Sequence, residues 1–489
     1  METPIPADKR KYDRRWAPRD RLPILTKAAY SIGTAVDMWG LWLYAGVAYM
    51  VFNLYLGIDP WLVGLGVGLV RIFDAFIDPV VGWLSDNLRS KWGRRRPFIL
   101  IAGILSGLGL PILFMMSPAW VGIKFLGVSV VFWYILLSNM IYIPIISAFT
   151  IPYYSLGAEM SPDYEERTSI MSYRSVAQKI SELGNFFAFK FTTLAWFLIP
   201  GTGKQNTLLA MRVYTMILGA VMAIFAIIIF FRVKERYYDK VVVKVKEKIS
   251  ILAGLGETLR CMPFRKMMVV GIAFTLGTSM VGSLGYYVTR FYVAGGNEIV
   301  GNNWQVWMGV AFMLGGLLGV PIHGAMSHRI GKRRALIVAC LVGICGYGGS
   351  WFLYTPAIQW LQTIASGLMG MSAASIWMLH SSIGADIIDH DELKTQERRE
   401  GSFTACASYM LKLGNSLGVI FSGFIIGWSG FTWKLQIQAP QTIFWLRFSL
   451  AALPVAGLII AIIFISRVQL TKERVKENRR RLEDRRGKV

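Results

Sequence analysis

Apolar residues run through this chain in twelve long blocks, near positions 28–55, 61–83, 98–117, 124–154, 171–198, 207–231, 266–291, 304–326, 335–354, 357–384, 403–428 and 444–466. Each is close to the ~20 residues an α-helix needs to cross the hydrocarbon core of a bilayer. Charged residues collect in the gaps between blocks. The pattern predicts an all-α membrane protein of twelve transmembrane helices, its chain weaving through the cytoplasmic (inner) membrane.

Composition fits that reading. Apolar residues make up 54% of the 489 and charged ones 17%, with mean hydropathy +0.47. A soluble globular domain rarely has such a balance. The net charge of +23 comes from basic clusters that recur between the blocks, not from one basic face, so no nucleic-acid partner is expected. The four cysteines (Cys261, Cys340, Cys345 and Cys406) lie in or beside apolar blocks without CxxC spacing and read as buried thiols, with no metal or redox role.

Lysine and arginine also set the orientation. With both termini cytoplasmic, the inner segments hold 41 of the 52 basic residues. The outer loops hold six: Lys124, Lys204, Arg212, Arg290, Lys434 and Arg447. Residues 1–27 form a basic arm with no apolar core, unlike a signal peptide. The domains expected are that arm, a six-helix half over 28–231, a charged central loop over 232–265, a second six-helix half over 266–466 and a basic tail over 467–489. The tail, rich in charge from Lys472 to Lys488, is expected against anionic membrane lipids or as a further amphipathic helix.

A weak repeat supports two halves. Gly82-Trp-Leu-Ser-Asp-Asn followed by Gly93-Arg-Arg-Arg after helix 2 is similar to Gly324-Ala-Met-Ser-His-Arg followed by Gly331-Lys-Arg-Arg after helix 8. Two six-helix repeats around a central cavity, with this glycine-rich inner loop, resemble the major facilitator transporters. Glycine permits the tight turn, while Asp86, Arg94 and Arg95 are candidates to latch neighbouring helix ends as a gate. A plain positive-inside anchor accounts for the charges but not for the repeated glycines.

Ionisable residues inside spanning helices cost several kcal/mol and mark function unless a pairing explains them. Helix 2 carries Arg71, Asp74 and Asp78 at spacings of three and four, which puts them in one patch. Two acids and one base in a dry site leave a carboxylate to take a proton, a cation or another base. A static Arg71–Asp bridge is the alternative. Lys412 in helix 11 is a candidate partner from the other half, with snorkelling to the interface as its alternative. Asp37 in helix 1 and Arg174, Gln178 and Glu182 in helix 5 form a polar lining suited to sugar hydroxyls, with Tyr154 and Trp377 as flat faces for a ring. Lys179 and Glu182 equally suit an internal pair. Asp386 and Asp389, in Gly384-Ala-Asp-Ile-Ile-Asp-His-Asp-Glu, are expected where helix 10 meets the inner loop, as a salt-bridge network at the gate.

No enzyme is expected. Gly414-Asn-Ser-Leu-Gly418 matches GxSxG but lies mid-helix without the preceding strand a nucleophile elbow requires, and no Walker A or HExxH pattern exists.

Several stretches together resemble the glycoside–pentoside–hexuronide:cation symporter family. RIFDAFIDPVVGW in helix 2, GRRRPFI after it, IPYYSLGAEM and ERTSIMSYR around the 4–5 loop, and GADIIDHDELK after helix 10 occur in family order. The resemblance implies symport of a sugar, glycoside or hexuronide with H+ or Na+, and no cofactor. It places the cation site on Asp74, Asp78, Ser147 and Lys412, and the substrate site on Arg174, Tyr154 and Trp377. Two positions depart. Ile77 stands where melibiose permease, a familiar member, has an asparagine, which removes an oxygen and favours protons. Thr150 replaces a sugar-binding carboxylate, leaving galactosides in question. An uncoupled facilitator or a lysolipid-type transporter is the alternative function, and a monomer is expected.

Overall fold

A computed structural model of the chain describes residues 22–161, 164–202, 204–235, 260–395, 400–468 and 472–486. Residues 1–21 of the arm, 236–259 of the central loop, and 469–471 and 487–489 of the tail lie outside the described residues.

A helix stands at each apolar block. In chain order they are α1 Ile24–Tyr55, α2 Pro60–Asn87, α3 Arg96–Ile112, α4 Val130–Glu159, α5 Tyr164–Phe191, α6 Thr207–Arg232, α7 Met262–Val293, α8 Glu298–Ile330, α9 Lys332–Leu353, α10 Leu361–Thr395, α11 Glu400–Trp428 and α12 Pro440–Ser466, followed by α13 Lys472–Arg486. Among the described residues, nine are long and apolar enough to cross a membrane by length and composition. α3 is a shorter apolar helix, and the polar stripe of α5 keeps it out of that set.

Local chemistry explains many of the ends. Asp59, Ser129, Asn206 and Asn297 cap α2, α4, α6 and α8 by accepting a backbone N–H. α4 starts six residues later than the apolar block because Lys124–Phe125 (β1) and Val128–Ser129 (β2) form a small antiparallel hairpin. α10 corrects the largest boundary error: it continues through Asp386 and Asp389 to Thr395, so both acids lie on a helix and not in a loop. Arg212, Arg290 and Arg447 also prove to be helical. Arg212 and Arg447 donate to backbone carbonyls of neighbouring segments, Phe114 and Trp351, and Arg290 pairs with Glu298 at 2.9 Å. Of the cysteines, Cys345 faces out of the bundle, against the expectation of burial.

The packing repeats itself. α2 packs on α4 as α8 does on α10, α3 on α6 as α9 on α12, and α1 on α5 as α7 on α11. Small residues let these helices meet closely: a Cβ on Gly107 would lie 2.3 Å from the Gly219 carbonyl oxygen. Between the halves, α2 packs along α11 and α5 along α8. The end of the bundle that carries Ile24 and Ser466 is here called inner. Towards the opposite, outer end the halves are bonded together: Tyr49 donates to the Val419 carbonyl at 3.0 Å, Tyr287 to Asn53 at 2.5 Å, and Asn302 to the Phe189 carbonyl at 3.0 Å. At the inner end, Lys27 pairs with Glu166 and Lys332 with Asp386, both at 2.8 Å and each within one half.

Candidate functional site: two acidic clusters sharing one helix face

Ser147, Thr150 and Tyr154 are spaced by three and four, so one face of α4 presents three hydroxyls. Ser147 reaches α2 and donates to Asp74 Oδ1 at 3.0 Å. The other two reach α1: Thr150 donates to Asp37 Oδ1 at 3.2 Å and Tyr154 to Asp37 Oδ2 at 2.6 Å. Asp37 and Asp74 are 1% and 2% exposed. A carboxylate that deep persists only with donors in place.

One turn further along α2, Asp78 completes the first cluster. Lys412 enters from α11 and bridges both acids, with Nζ 2.8 Å from Asp74 Oδ2 and 2.5 Å from Asp78 Oδ2. It does not snorkel. Among the groups in direct contact, one ammonium faces two carboxylates, one positive charge short of neutrality.

Arg71 does not form the direct Arg71–Asp bridge that was the alternative to a shared patch. Among the described residues it makes no ion pair with Asp74 or Asp78. Its Nη2 donates to the Leu41 carbonyl, and its guanidinium lies 5.1 Å from the Trp42 ring centroid. The reason is competition. Lys412 already sits between the acids, and α1 presents Leu41 from a π-helical stretch, Trp39–Leu43, of the kind that accompanies functional positions.

In the second cluster Arg174 stacks on the Tyr154 ring at 4.1 Å, and its buried Nε has no hydrogen-bond partner among the described residues. Gln178, one turn along α5, lies 3.9 Å from Met38 Sδ. Lys179 and Glu182 form the internal pair at 2.9 Å, which takes Glu182 out of the open lining. Trp377 stands apart in the second half, 43% exposed and edge-on to Phe274.

At the inner end, Arg94 and Arg95 are buried. The backbone N–H groups of Arg94, Arg95 and Arg96 all donate to the Glu235 carboxylate, at 3.2, 2.8 and 3.1 Å. Glu235 thus caps the α3 N-terminus, and it needs Gly93, at φ +98°, because a Cβ there would lie 2.7 Å from that carboxyl group. Asp386 pairs with Lys332, the first residue of α9, and Asp389 follows one turn on. The side chain of Asp86 lies outside the described residues. Glu235 and the Lys27–Glu166 pair escape a reading of the sequence because each partner is more than a hundred residues away, with no local spacing to mark it.

A profile of the family described as MFS/sugar transport protein matches residues 28–472. The chain belongs to that family. This MFS sugar transporter is 25% identical over 460 residues to the glucuronide carrier protein homolog of Escherichia coli K12, covering 92% of this chain and 94% of that one. To the isoprimeverose transporter of Lactiplantibacillus pentosus it is 24% identical, covering 90% and 87%. The nucleoside transporter NupG, a solved structure, superposes with a TM-score of 0.61 at 15% identity over 92% of this chain and 99% of that one, which shows the fold alone. The resemblance to glycoside–pentoside–hexuronide:cation symporters holds, and the MFS sugar transporter is a multi-pass membrane protein, not an enzyme.

Proposed function

We propose that the chain is a secondary active symporter of a sugar or glycoside, coupled to a proton at the Asp74–Asp78 pair and working by alternating access. The observation that carries this reading is the Lys412 bridge. An ammonium from one half holds two acids of the other, so admitting a cation to the acids loosens a bond between the halves. Linkage then makes cation affinity and substrate affinity rise together. The groups at the pair are two carboxylates, one hydroxyl and a lysine ammonium that has no lone pair for a metal ion, and Ile77 adds no oxygen, which favours a proton over sodium.

Asp37, Thr150, Tyr154, Arg174 and Gln178 supply the substrate's polar contacts, and Trp377 offers a ring face from the second half. The likeness to a glucuronide carrier homolog and an isoprimeverose transporter points to glycosides as the class. Bonds between the halves at the outer end suit the inward-facing state, with Arg94, Arg95, Asp386 and Asp389 positioned to tie the inner gate. Both termini are assigned to the cytoplasm and the carrier to the inner membrane, as a monomer among lipids.

Proteoliposomes given p-nitrophenyl β-D-glucuronide or isoprimeverose in the external medium test this reading. An inward proton gradient drives uphill uptake in the wild type, and Asp74→Asn loses accumulation while keeping exchange. Undiminished accumulation by Asp74→Asn refutes the coupling site, and wild-type flux that ignores both proton and sodium gradients makes the protein a facilitator.

A further inference from the structure

Two long seams join the halves, α2 on α11 and α5 on α8, and a lysine reaches across each. In the first, Lys412 of α11 finds Asp74 and Asp78. In the second, Lys179 of α5 reaches α8 beside Gly316, where a Cβ would lie 3.5 Å from the ammonium nitrogen and 3.4 Å from the Ala374 methyl of α10. The shift along the sequence that lays Gly324 on Gly82 and Pro321 on Pro79 also lays Gly316 on Asp74 and Val320 on Asp78. The seams are therefore built alike, each lysine facing the same turn of the opposite helix. Where the first half supplies acids, the second supplies glycine and valine. Among the described residues, Lys179 pairs instead with Glu182 of its own helix, at 2.9 Å.

That pairing is easily exchanged. Ion pairs three residues apart on one helix contribute little, and Glu182 keeps 18% of its side chain exposed, so it can turn to water when another anion takes the ammonium. The place is also central to the proposed substrate site. Lys179 follows Gln178 directly and lies about 7.5 Å along α5 from Arg174, while Ala374 stands one turn before Trp377 on α10. From the α8 side Phe312 offers its ring, with the centroid 5.9 Å from Nζ. A sugar bound between Arg174 and Trp377 therefore carries its substituents past this ammonium.

We propose that Lys179 is the residue that selects glycosides bearing a carboxylate. The inference deepens the symport reading and rests on it. In the empty carrier Glu182 stands in for the substrate's acid. An acidic glycoside brings its carboxylate to the place that Asp74 fills in the other seam, and takes the ammonium from Glu182. A neutral glycoside has nothing to exchange for it and leaves the Lys179–Glu182 pair closed. Preference then comes from a charged hydrogen bond made between two packed helices, where it is stronger than in open water.

The test compares p-nitrophenyl β-D-glucuronide with p-nitrophenyl β-D-glucoside, which carries CH2OH in place of the carboxylate, by calorimetry on the full chain in nanodiscs. The wild type is expected to bind the glucuronide about tenfold more tightly than the glucoside. Lys179→Gln weakens the glucuronide far more than the glucoside and brings the ratio to within about twofold of one. Gly316→Asp meets only the flexible end of the lysine and the Ala374 methyl; it restores the missing acid, ties up the ammonium and lowers the ratio in the same way. Glu182→Gln removes the stand-in and raises the ratio severalfold. A merely structural lysine in this seam would weaken both probes alike. A ratio preserved in Lys179→Gln, which would leave the acid to Arg174, an unchanged one in Glu182→Gln, or a wild-type ratio of one or below overturns the assignment and leaves sugar symport standing. Wild-type binding of neither probe removes the glycoside reading and the assignment together.

Discussion

Tyr154 and Asp37 meet at 2.6 Å, hydroxyl to carboxylate, and this contact ties α4 to α1 seven residues along the same face from the Ser147–Asp74 bond. One helix face therefore holds both acids around which the two proposed sites are built. A shift of α4 moves the donors of both at once.

Replacing Tyr154 by Phe keeps the ring on which Arg174 stacks and removes only the hydroxyl. Asp37 is left with Thr150 and a lost charged hydrogen bond worth about 1.5–3 kcal/mol. Probe affinity is expected to fall by roughly tenfold or more, while the Asp74–Asp78 site still responds to protons. Calorimetry with p-nitrophenyl β-D-glucuronide checks the first, and a pH-dependent thermal shift without substrate checks the second. Unchanged affinity would remove Tyr154 from the substrate site.

Gly423 on α11 sits against the start of α2, where a Cβ would lie 2.4 Å from the Pro60 carbonyl oxygen and 2.8 Å from the Tyr49 hydroxyl. Backbone cannot yield there as a flexible side chain would. Gly423→Ala should cost the outer-closed state about 1–3 kcal/mol of overpacking, and so populate an outward-open form. Spin labels at the exposed outer-loop residues Leu126 and Ile437 are expected to move apart in the variant. An unaltered distance distribution would show that the outer seam has slack to absorb a methyl group.

The terminal helix α13 docks on the inner end of α10, where Asn478 meets His390 at 3.1 Å. Burial first, then the charges of Lys394 and Arg474, hold the His390 imidazole below the usual histidine range, against weaker support from Asn478 and Asp391. Because docking lowers the pKa, the docked form binds fewer protons than the free one. Its stability is complete above about pH 6.5 and erodes as the pH falls below it. Protection factors over 472–486, with the intrinsic pH dependence of amide exchange divided out, should fall between pH 7.5 and 5.5 in the wild type and not in His390→Gln. Equal protection at both pH values would show that the contact does not titrate.

The sequence by itself determined the twelve apolar blocks, the likeness of the two halves and the costly acids of helix 2, because hydrophobic length and charge in lipid are local properties that need no partner to be read. The stripe Ser147–Thr150–Tyr154 has a local spacing too, but only the structure showed which acids its hydroxyls meet. The tertiary structure decided whom each charge answers to. Spacing alone put Arg71 with Asp74, yet Lys412, 338 residues away, took the acid and left the arginine to a backbone carbonyl. Glu235 found the N-terminus of α3 across 139 residues. Helical period fixes which face a side chain leaves from; only the packing of distant helices fixes which opposite charge is near enough to offset its desolvation.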